Sequence, residues 1–446
     1  MSVTPFDSTL FGQLLSDVEL AALLDDRAQL RAMLSFEAAM ARAEGRCGVI
    51  PEEAAERIAE VADRLEVDPA SLAEGTARDG IPVPALVAAL RKAVGGKAAH
   101  YVHWGATTQD EMDTGLVLRL KQILDLLETR LNVLGEALAA LADAERGTVM
   151  LARTRGQQAT PTSFGLKVAG WLAPLQRHLN RLEEFEDRLG VLSFGGAVGN
   201  LSALGEKGPA VEAALAEELG LAVPAMPWHA QRDSLVELGN WLGLVCGSLG
   251  KLAGDVLLLC QNEVGELREG GGGGGSSTLP QKSNPVRSEA VLALARHAVG
   301  LTGQLQAAAF HQHERDGVAW QLEWLVLPQM IVATGAALRQ SIALVDSLEI
   351  DRARMLANVE ATKGLALAEA ASFALSAHLP RPEAQALVKD ACKEVLASGR
   401  PLIDILAERS DAPVDWEALR DPAAQLGAAD AFIDRVLESR GSEADI

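Results

Sequence analysis

Over residues 112–146, the apolar residues Leu116, Leu120, Ile123, Leu127, Leu131, Leu134, Leu138 and Leu141 recur at steps of three and four, the period of one helix face. At about 1.5 Å rise per residue this segment is roughly 50 Å long, longer than a small domain is wide, and it requires neighbours of similar length. Four candidates follow it, at 162–189, 234–267, 288–310 and 318–348. Pro161 suits the first turn of the first of these, and Pro328 predicts a kink in the last. Hydrophobic residues make up 48% of the chain and aromatics only 4%, a balance that favours closely packed helices over a sheet protein. The predicted class is all-α.

Five such helices form a bundle that either buries surface against other subunits as well as internally or belongs to one large monomer. At 446 residues the chain exceeds what one core usually holds, and the breakers divide it into three. Gly80, Pro82 and Pro84 interrupt shorter helices in an N-terminal domain, 1–110. The long helices make a central domain, 111–350, and Pro380, Pro382, Pro401, Pro413 and Pro422 punctuate a small helical C-terminal domain, 351–446.

Asp and Glu number 61 against 40 Lys and Arg, a net charge of −21, which repels nucleic-acid phosphates and anionic membranes. Neither is an expected partner, and an anionic substrate would need a local cluster of cations. Lys251 and Asp255 interrupt the longest apolar run, near 242–259, so no segment reads as membrane-spanning. The first twenty residues carry Asp7, Asp17 and Glu19 without an apolar stretch, which predicts no signal peptide and a cytoplasmic protein. Cys47, Cys246, Cys260 and Cys392 are far apart and read as buried free thiols. The histidines lack metal-ligand spacing, and no phosphate loop or dinucleotide fingerprint is present. Catalysis is expected to use neither metal nor cofactor.

Residues 270–285 read GGGGGGSSTLPQKSNP between two long helices. Six glycines have almost no conformational preference and a high ordering cost. On composition alone this is a bland linker, yet hydroxyl, cation and amide groups follow the glycines directly, as they would on a mobile lid.

The string Ser276-Ser277-Thr278-Leu279-Pro280-Gln281-Lys282-Ser283-Asn284-Pro285 resembles the signature of the fumarase/aspartase superfamily, GSSxMPxKxNP, with Leu279 in place of Met. Two more strings support the resemblance in the right order: His103-Trp104-Gly105-Ala106-Thr107-Thr108-Gln109-Asp110, and Arg153-Thr154-Arg155-Gly156-Gln157-Gln158-Ala159-Thr160-Pro161. The resemblance implies a three-domain all-α fold whose central five-helix bundle assembles into a twenty-helix tetramer core, with each active site shared by three subunits. It also implies removal or delivery of a proton α to a carboxylate, with Ser276 as the catalytic serine and the signature loop, 268–286, mobile. A free serine is a poor base, so Lys282, backbone N–H groups and exclusion of water would have to activate it.

The chain departs from the lyases of this superfamily at Arg155, where they carry a histidine that handles the leaving-group proton. An alcohol or amine leaves poorly without a proton, whereas a carboxylate, of pKa near about 4, leaves unaided. The resemblance therefore narrows to the muconate-cycloisomerase branch, in which the group that adds and leaves is a carboxylate. Arg155, with two N–H groups for a carboxylate, suits an anionic polycarboxylate. Further strings, Phe194-Gly195-Gly196, Trp228-His229-Ala230-Gln231-Arg232-Asp233 and His313-Glu314-Arg315-Asp316 with Glu323-Trp324, also look like that branch. The candidate catalytic residues are Ser276, Lys282 and Arg155. Candidates for substrate binding are His103, Thr107, Thr108, Gln157, Thr160, Gln231, Asn284 and Arg315. Arg315 beside Glu314 and Asp316 also reads as an ion pair, and His229 as a packing residue. If His229 or His313 sits where the missing histidine acts, another lyase acting on a succinyl-type substrate is favoured. A non-catalytic scaffold is the remaining alternative, against which Ser276, Lys282 and Asn284 argue.

Overall fold

The computed structural model describes residues 4–440. In chain order, the elements that position the site are helices α1 (Asp26–Arg46), α2 (Val83–Val94) and α3 (Thr108–Ala144), strands β1 (Val149–Thr154) and β2 (Gln157–Ser163), and helices α4 (Phe164–Leu189) and α5 (Asp233–Leu259). Strand β3 (Leu267–Glu269), helices α6 (Val286–Ala308) and α7 (Gly317–Asp346), strand β4 (Leu348–Ile350) and helices α8 (Arg352–Glu360), α9 (Arg381–Ser398) and α10 (Leu402–Arg409) follow. Among the described residues the chain is all-α apart from two small antiparallel sheets, β1–β2 and β3–β4.

Two compact units divide the residues, and the boundaries fall inside all five long helices. The first takes in the chain up to Arg130, His178–Gly247 and Ala293–Arg339. In it Leu30, Met33, Leu34, Ile58, Leu86, Leu90 and Met112 bury one face each of α1, α2 and their neighbours. Trp241 of α5 donates its indole N–H to the His178 carbonyl of α4 at 2.9 Å, and the Cys246 sulfur lies 3.3 Å from the Thr334 hydroxyl of α7. The second unit holds Leu131–Arg177, Ser248–Leu292 and the chain from Gln340 on. There Leu131, Leu134 and Leu138 continue the buried stripe of α3, Trp171 donates to Asp255 at 2.8 Å, and Leu375, Leu402, Ile403 and Leu406 form a C-terminal core.

The five long helices lie close to their predicted positions, with corrections at the ends. Residues 157–163 form β2, so α4 starts at Phe164 and Pro161, expected in its first turn, pairs with Leu151. The Arg155-Gly156 turn has φ of 53° and 78°, the left-handed pair that matches the twist of a two-residue hairpin. Helix α5 stops at Leu259 instead of 267, because the chain turns and Leu267 enters β3, paired with Ile350. Pro328 lies inside α7, whose helical run is unbroken from Gly317 to Asp346. All four cysteines are free, but only Cys246 is buried; Cys47, Cys260 and Cys392 are partly exposed. Helix α5 is long and apolar enough to cross a membrane by length and composition, yet Leu235, Leu238, Trp241, Leu242, Val245, Leu249, Leu252 and Val256 along it are core residues.

Candidate active site

In the first unit, the start of α3 is organised by one buried carboxylate. Asp110 accepts hydrogen bonds from the backbone N–H groups of Thr107 (2.9 Å), Gly195 (2.8 Å) and Gly196 (3.0 Å), and lies 2.6 Å from His229 Nε2. These bonds fix the approach to α3, with its half-buried Thr107 and Thr108, against the Gly195-Gly196 loop. His229 is buried against Asp110.

One turn further along α3, Asp113 and the Glu323 carboxylate of α7 enclose Arg232. The guanidinium donates to both oxygens of each, at 2.7 and 3.0 Å to Asp113 and at 2.7 and 2.8 Å to Glu323. Burial pulls this guanidinium's pKa down, but the two carboxylates outweigh it and hold it above the usual arginine range. Gln109 links this group to a cation facing outward. Its amide N–H₂ donates to Asp113 at 3.0 Å and to the His229 carbonyl at 2.8 Å, while its oxygen accepts from Arg315 Nε at 2.9 Å. Arg315 also reaches the Ala197 carbonyl at 3.3 Å. Its neighbour Asp316 instead caps α7 through the Val318 N–H at 2.8 Å, so the expected pairing within Glu314-Arg315-Asp316 is not formed. Gln231 and His313 are exposed.

His103 has a left-handed backbone, φ 57°, and its Nδ1 is hydrogen-bonded to Glu37 and stands 3.5 Å from Glu111. Burial works against the charged ring, but Glu37, by charge and hydrogen bond, and then Asp110 outweigh it, with Arg91 opposing; the pKa is raised. The carboxylates behind it are buried beyond their partners. Among the described residues, Glu111 and Glu44 have no hydrogen-bond partner on either oxygen, and Glu37 has one oxygen free. Burial first, then the Glu37 charge, pushes Glu44 up to about 9 and holds Glu111 well above the carboxylate range. The ligand atoms of Glu37, His103 and Glu111 lie within 4.8 Å of one another, a grouping invisible in the sequence spacing. One imidazole and two carboxylates are a donor set of a kind that suits a divalent ion. Glu37, Glu44 and Glu111 were missed by the sequence reading; the available signal was that Glu37 and Glu44, seven apart, fall on the apolar face of α1.

The remaining candidates belong to the second unit. Arg155 occupies the exposed tip of the β1–β2 hairpin with no described hydrogen bond or ion pair, and Gln157 and Thr160 follow on β2. The hairpin is held close to its tip, where Arg153 donates to both Glu266 oxygens at 2.6 and 2.9 Å and Asn358 adds a bond to Glu266 at 2.7 Å.

The signature loop folds back on itself. The Asn284 N–H donates to the Gly274 carbonyl at 2.8 Å, and Gly275 and Ser283 form a single antiparallel bridge. Gly274 has φ 77°, and a Cβ there would collide with the Asn284 backbone, so glycine is required at that point. Within the loop the Ser276 hydroxyl oxygen accepts the N–H groups of Thr278 at 3.2 Å and Leu279 at 3.1 Å. Lys282 is exposed, its ammonium with no described hydrogen-bond or ion-pair partner, and Asn284 is half-buried. No described hydrogen bond or ion pair joins Arg155 to this loop.

Residues 17–300 match a family model described as lyase, and residues 364–436 one described as adenylosuccinate lyase C-terminus. The 3-carboxy-cis,cis-muconate cycloisomerase of Pseudomonas aeruginosa is 46% identical over 439 residues, covering 96% of this chain and 95% of that protein. The enzyme of the same name from Bradyrhizobium diazoefficiens is 42% identical over 443 residues, 97% of this chain and 98% of that one. Among solved structures, the 3-carboxy-cis,cis-muconate lactonizing enzyme from Pseudomonas putida superposes with a TM-score of 0.91 at 40% identity, covering 97% of this chain and 99% of that one.

Proposed function

This chain belongs to the lyase family of the fumarase/aspartase superfamily, and from that premise we propose that it is an enzyme that lactonises 3-carboxy-cis,cis-muconate to 4-carboxymuconolactone. The observation that carries the reading is the Ser276 hydroxyl, whose oxygen accepts two backbone N–H groups. Those dipoles stabilise developing negative charge on the oxygen and lower the cost of releasing its proton.

In the proposed reaction Lys282, Arg155 and Arg315 hold the three carboxylates, with Asn284, Gln157, Thr160, Gln231, His103, Thr107 and Thr108 giving hydrogen bonds. One carboxylate oxygen adds to the ring-forming carbon. The electron pair of the attacked double bond moves toward the conjugated carboxylate, giving an aci-carboxylate whose charge the cations offset. Ser276 then gives its proton to the α carbon and regains one from solvent. No atom is lost, so the reaction is an isomerisation. Read backwards, the group expelled is a carboxylate that needs no proton, which is why an arginine at 155 suffices.

The same reading makes the active protein a cytoplasmic homotetramer, each site completed by three subunits, with the three-domain division at about 110 and 350. It places the reaction in aromatic-acid breakdown through protocatechuate. An ultraviolet assay following loss of the conjugated diene tests the chemistry, with fumarate, adenylosuccinate and argininosuccinate run beside the muconate. The expected result is turnover of muconate alone, reduced about 10²–10⁴-fold in kcat by Ser276→Ala. Cleavage of a succinyl compound with muconate inert would overturn the reading.

A further inference from the structure

The first unit holds a partly open cavity of about 620 Å³, within the roughly 300–1,000 Å³ range of small-molecule sites. Its wall is mainly apolar, built from Met33, Leu116, Trp320, Trp324 and Leu327. The two indole rings meet edge to face with centroids 4.9 Å apart, presenting a π surface to whatever fills the space. Into this wall is set one cation. Arg119 is only 8% exposed, lines the cavity, and donates its Nε–H to the Gly115 carbonyl at 3.1 Å. Its two terminal NH₂ groups have no described partner. Asp25, the carboxylate whose charge reaches it, is engaged in capping α1 through the Ala28 N–H.

A buried guanidinium without an anion is an expensive arrangement, since the desolvation is not offset. Burial pushes Arg119 down to about 10, with Asp25 opposing, so it is still cationic at neutral pH. Of the acidic residues in the wall, Asp113 and Glu323 are both engaged by Arg232, and Asp26 is exposed. The two free NH₂ groups of Arg119 are thus left to meet an anion that enters the cavity with apolar bulk, through two parallel N–H donors.

We propose that this cavity is a second ligand site, for an aromatic monocarboxylate whose ring packs on Trp320 and Trp324 and whose carboxylate pairs with Arg119. It is distinct from the groups assigned to chemistry above and does not depend on that assignment. The probe is 1-naphthoate, titrated into the intact protein and read by tryptophan fluorescence and calorimetry, with 1-naphthamide as the uncharged control. We expect saturable 1:1 binding per chain, weakened at least about tenfold both by the amide and by Arg119→Met, the scale of a lost charge-assisted pair. Leu116→Trp, which takes up cavity volume while keeping Arg119 in place in the sequence, should abolish binding, and Ser276→Ala should leave it unchanged. The proposal is overturned if 1-naphthoate shows no saturable binding, if it binds equally to the folded Arg119→Met and Leu116→Trp variants, or if Ser276→Ala removes it.

Discussion

Glu44 carries the most quantitative consequence of the fold. Both its oxygens are buried without a hydrogen-bond partner, and burial together with the Glu37 charge raises its pKa from 4.5 to about 9. The unfolded chain releases this proton near the ordinary carboxylate value, while the folded chain keeps it. Between those two values the native state binds more protons than the unfolded state, so stability falls as pH rises, by about 1.4 kcal/mol per unit for one group. From pH 5 to pH 8 that amounts to about 4 kcal/mol. Glu44→Gln removes the titration while keeping shape and polarity. The amide's own unmet hydrogen bonds are independent of pH, so they offset the comparison by a constant and leave its slope intact. Urea unfolding at fixed protein concentration, across pH 5–8, should therefore show the variant gaining on the parent by about 4 kcal/mol over the window. A flat difference would refute the reasoning, because it would mean that the native state accepts the Glu44 charge without cost.

Three further outcomes follow from the same geometry. Arg232→Met leaves Asp113 and Glu323 buried without their cation, and should cost about 3–5 kcal/mol in a denaturation midpoint measurement; a loss below about 1 kcal/mol would show that the pair is solvated. His103 is cationic to a higher pH than a free imidazole, so its contact with Glu37 is fully present below the ordinary value of 6.5 and is lost as pH rises through the raised one. If the ring binds substrate as a cation, kcat/KM declines on that limb, and Glu37→Gln moves the decline to lower pH; an unmoved profile would assign the limb to another group. Gly274→Ala places a side chain at φ 77° against Asn284, at about 1–2 kcal/mol for the backbone alone, and should lower kcat while circular dichroism of the helices stays unchanged.

The long helices were legible because their signal is local: a stripe such as Leu120, Leu127 and Leu134 repeats at the helical period, and all three residues are buried where that period puts them. The errors came where the same local signal continued past the element. Val264 and Leu267 keep helical spacing after Leu259, and only pairing with β4 reveals that the chain has turned. The β1–β2 hairpin rests on two residues, Arg155 and Gly156, with little periodicity on either side. The carboxylates behind His103 were hidden for a different reason. Single glutamates on a helix look like solvated charges, and the seven-residue spacing that sets Glu37 and Glu44 on the apolar face of α1 is a weak signal until the packing of that face takes both out of water.

That contrast separates two kinds of polar residue. Asp110, Asp113, Arg232 and Glu323 are buried and meet one another or backbone donors, so a ligand has nothing to gain from them. Arg155, Lys282 and Arg315 are exposed, and of their guanidinium and ammonium groups only Arg315 spends donors on the protein, to Gln109 and Ala197. A chain with a net charge of −21 has carboxylates in excess and could have neutralised these three cations at the surface. That each stands without a described carboxylate partner suits the proposed binding of a polyanion, because each anionic group of the ligand must find a cation not already neutralised. On the proposed reading the buried groups hold the scaffold in place, and the unpaired ones meet the carboxylates of the substrate.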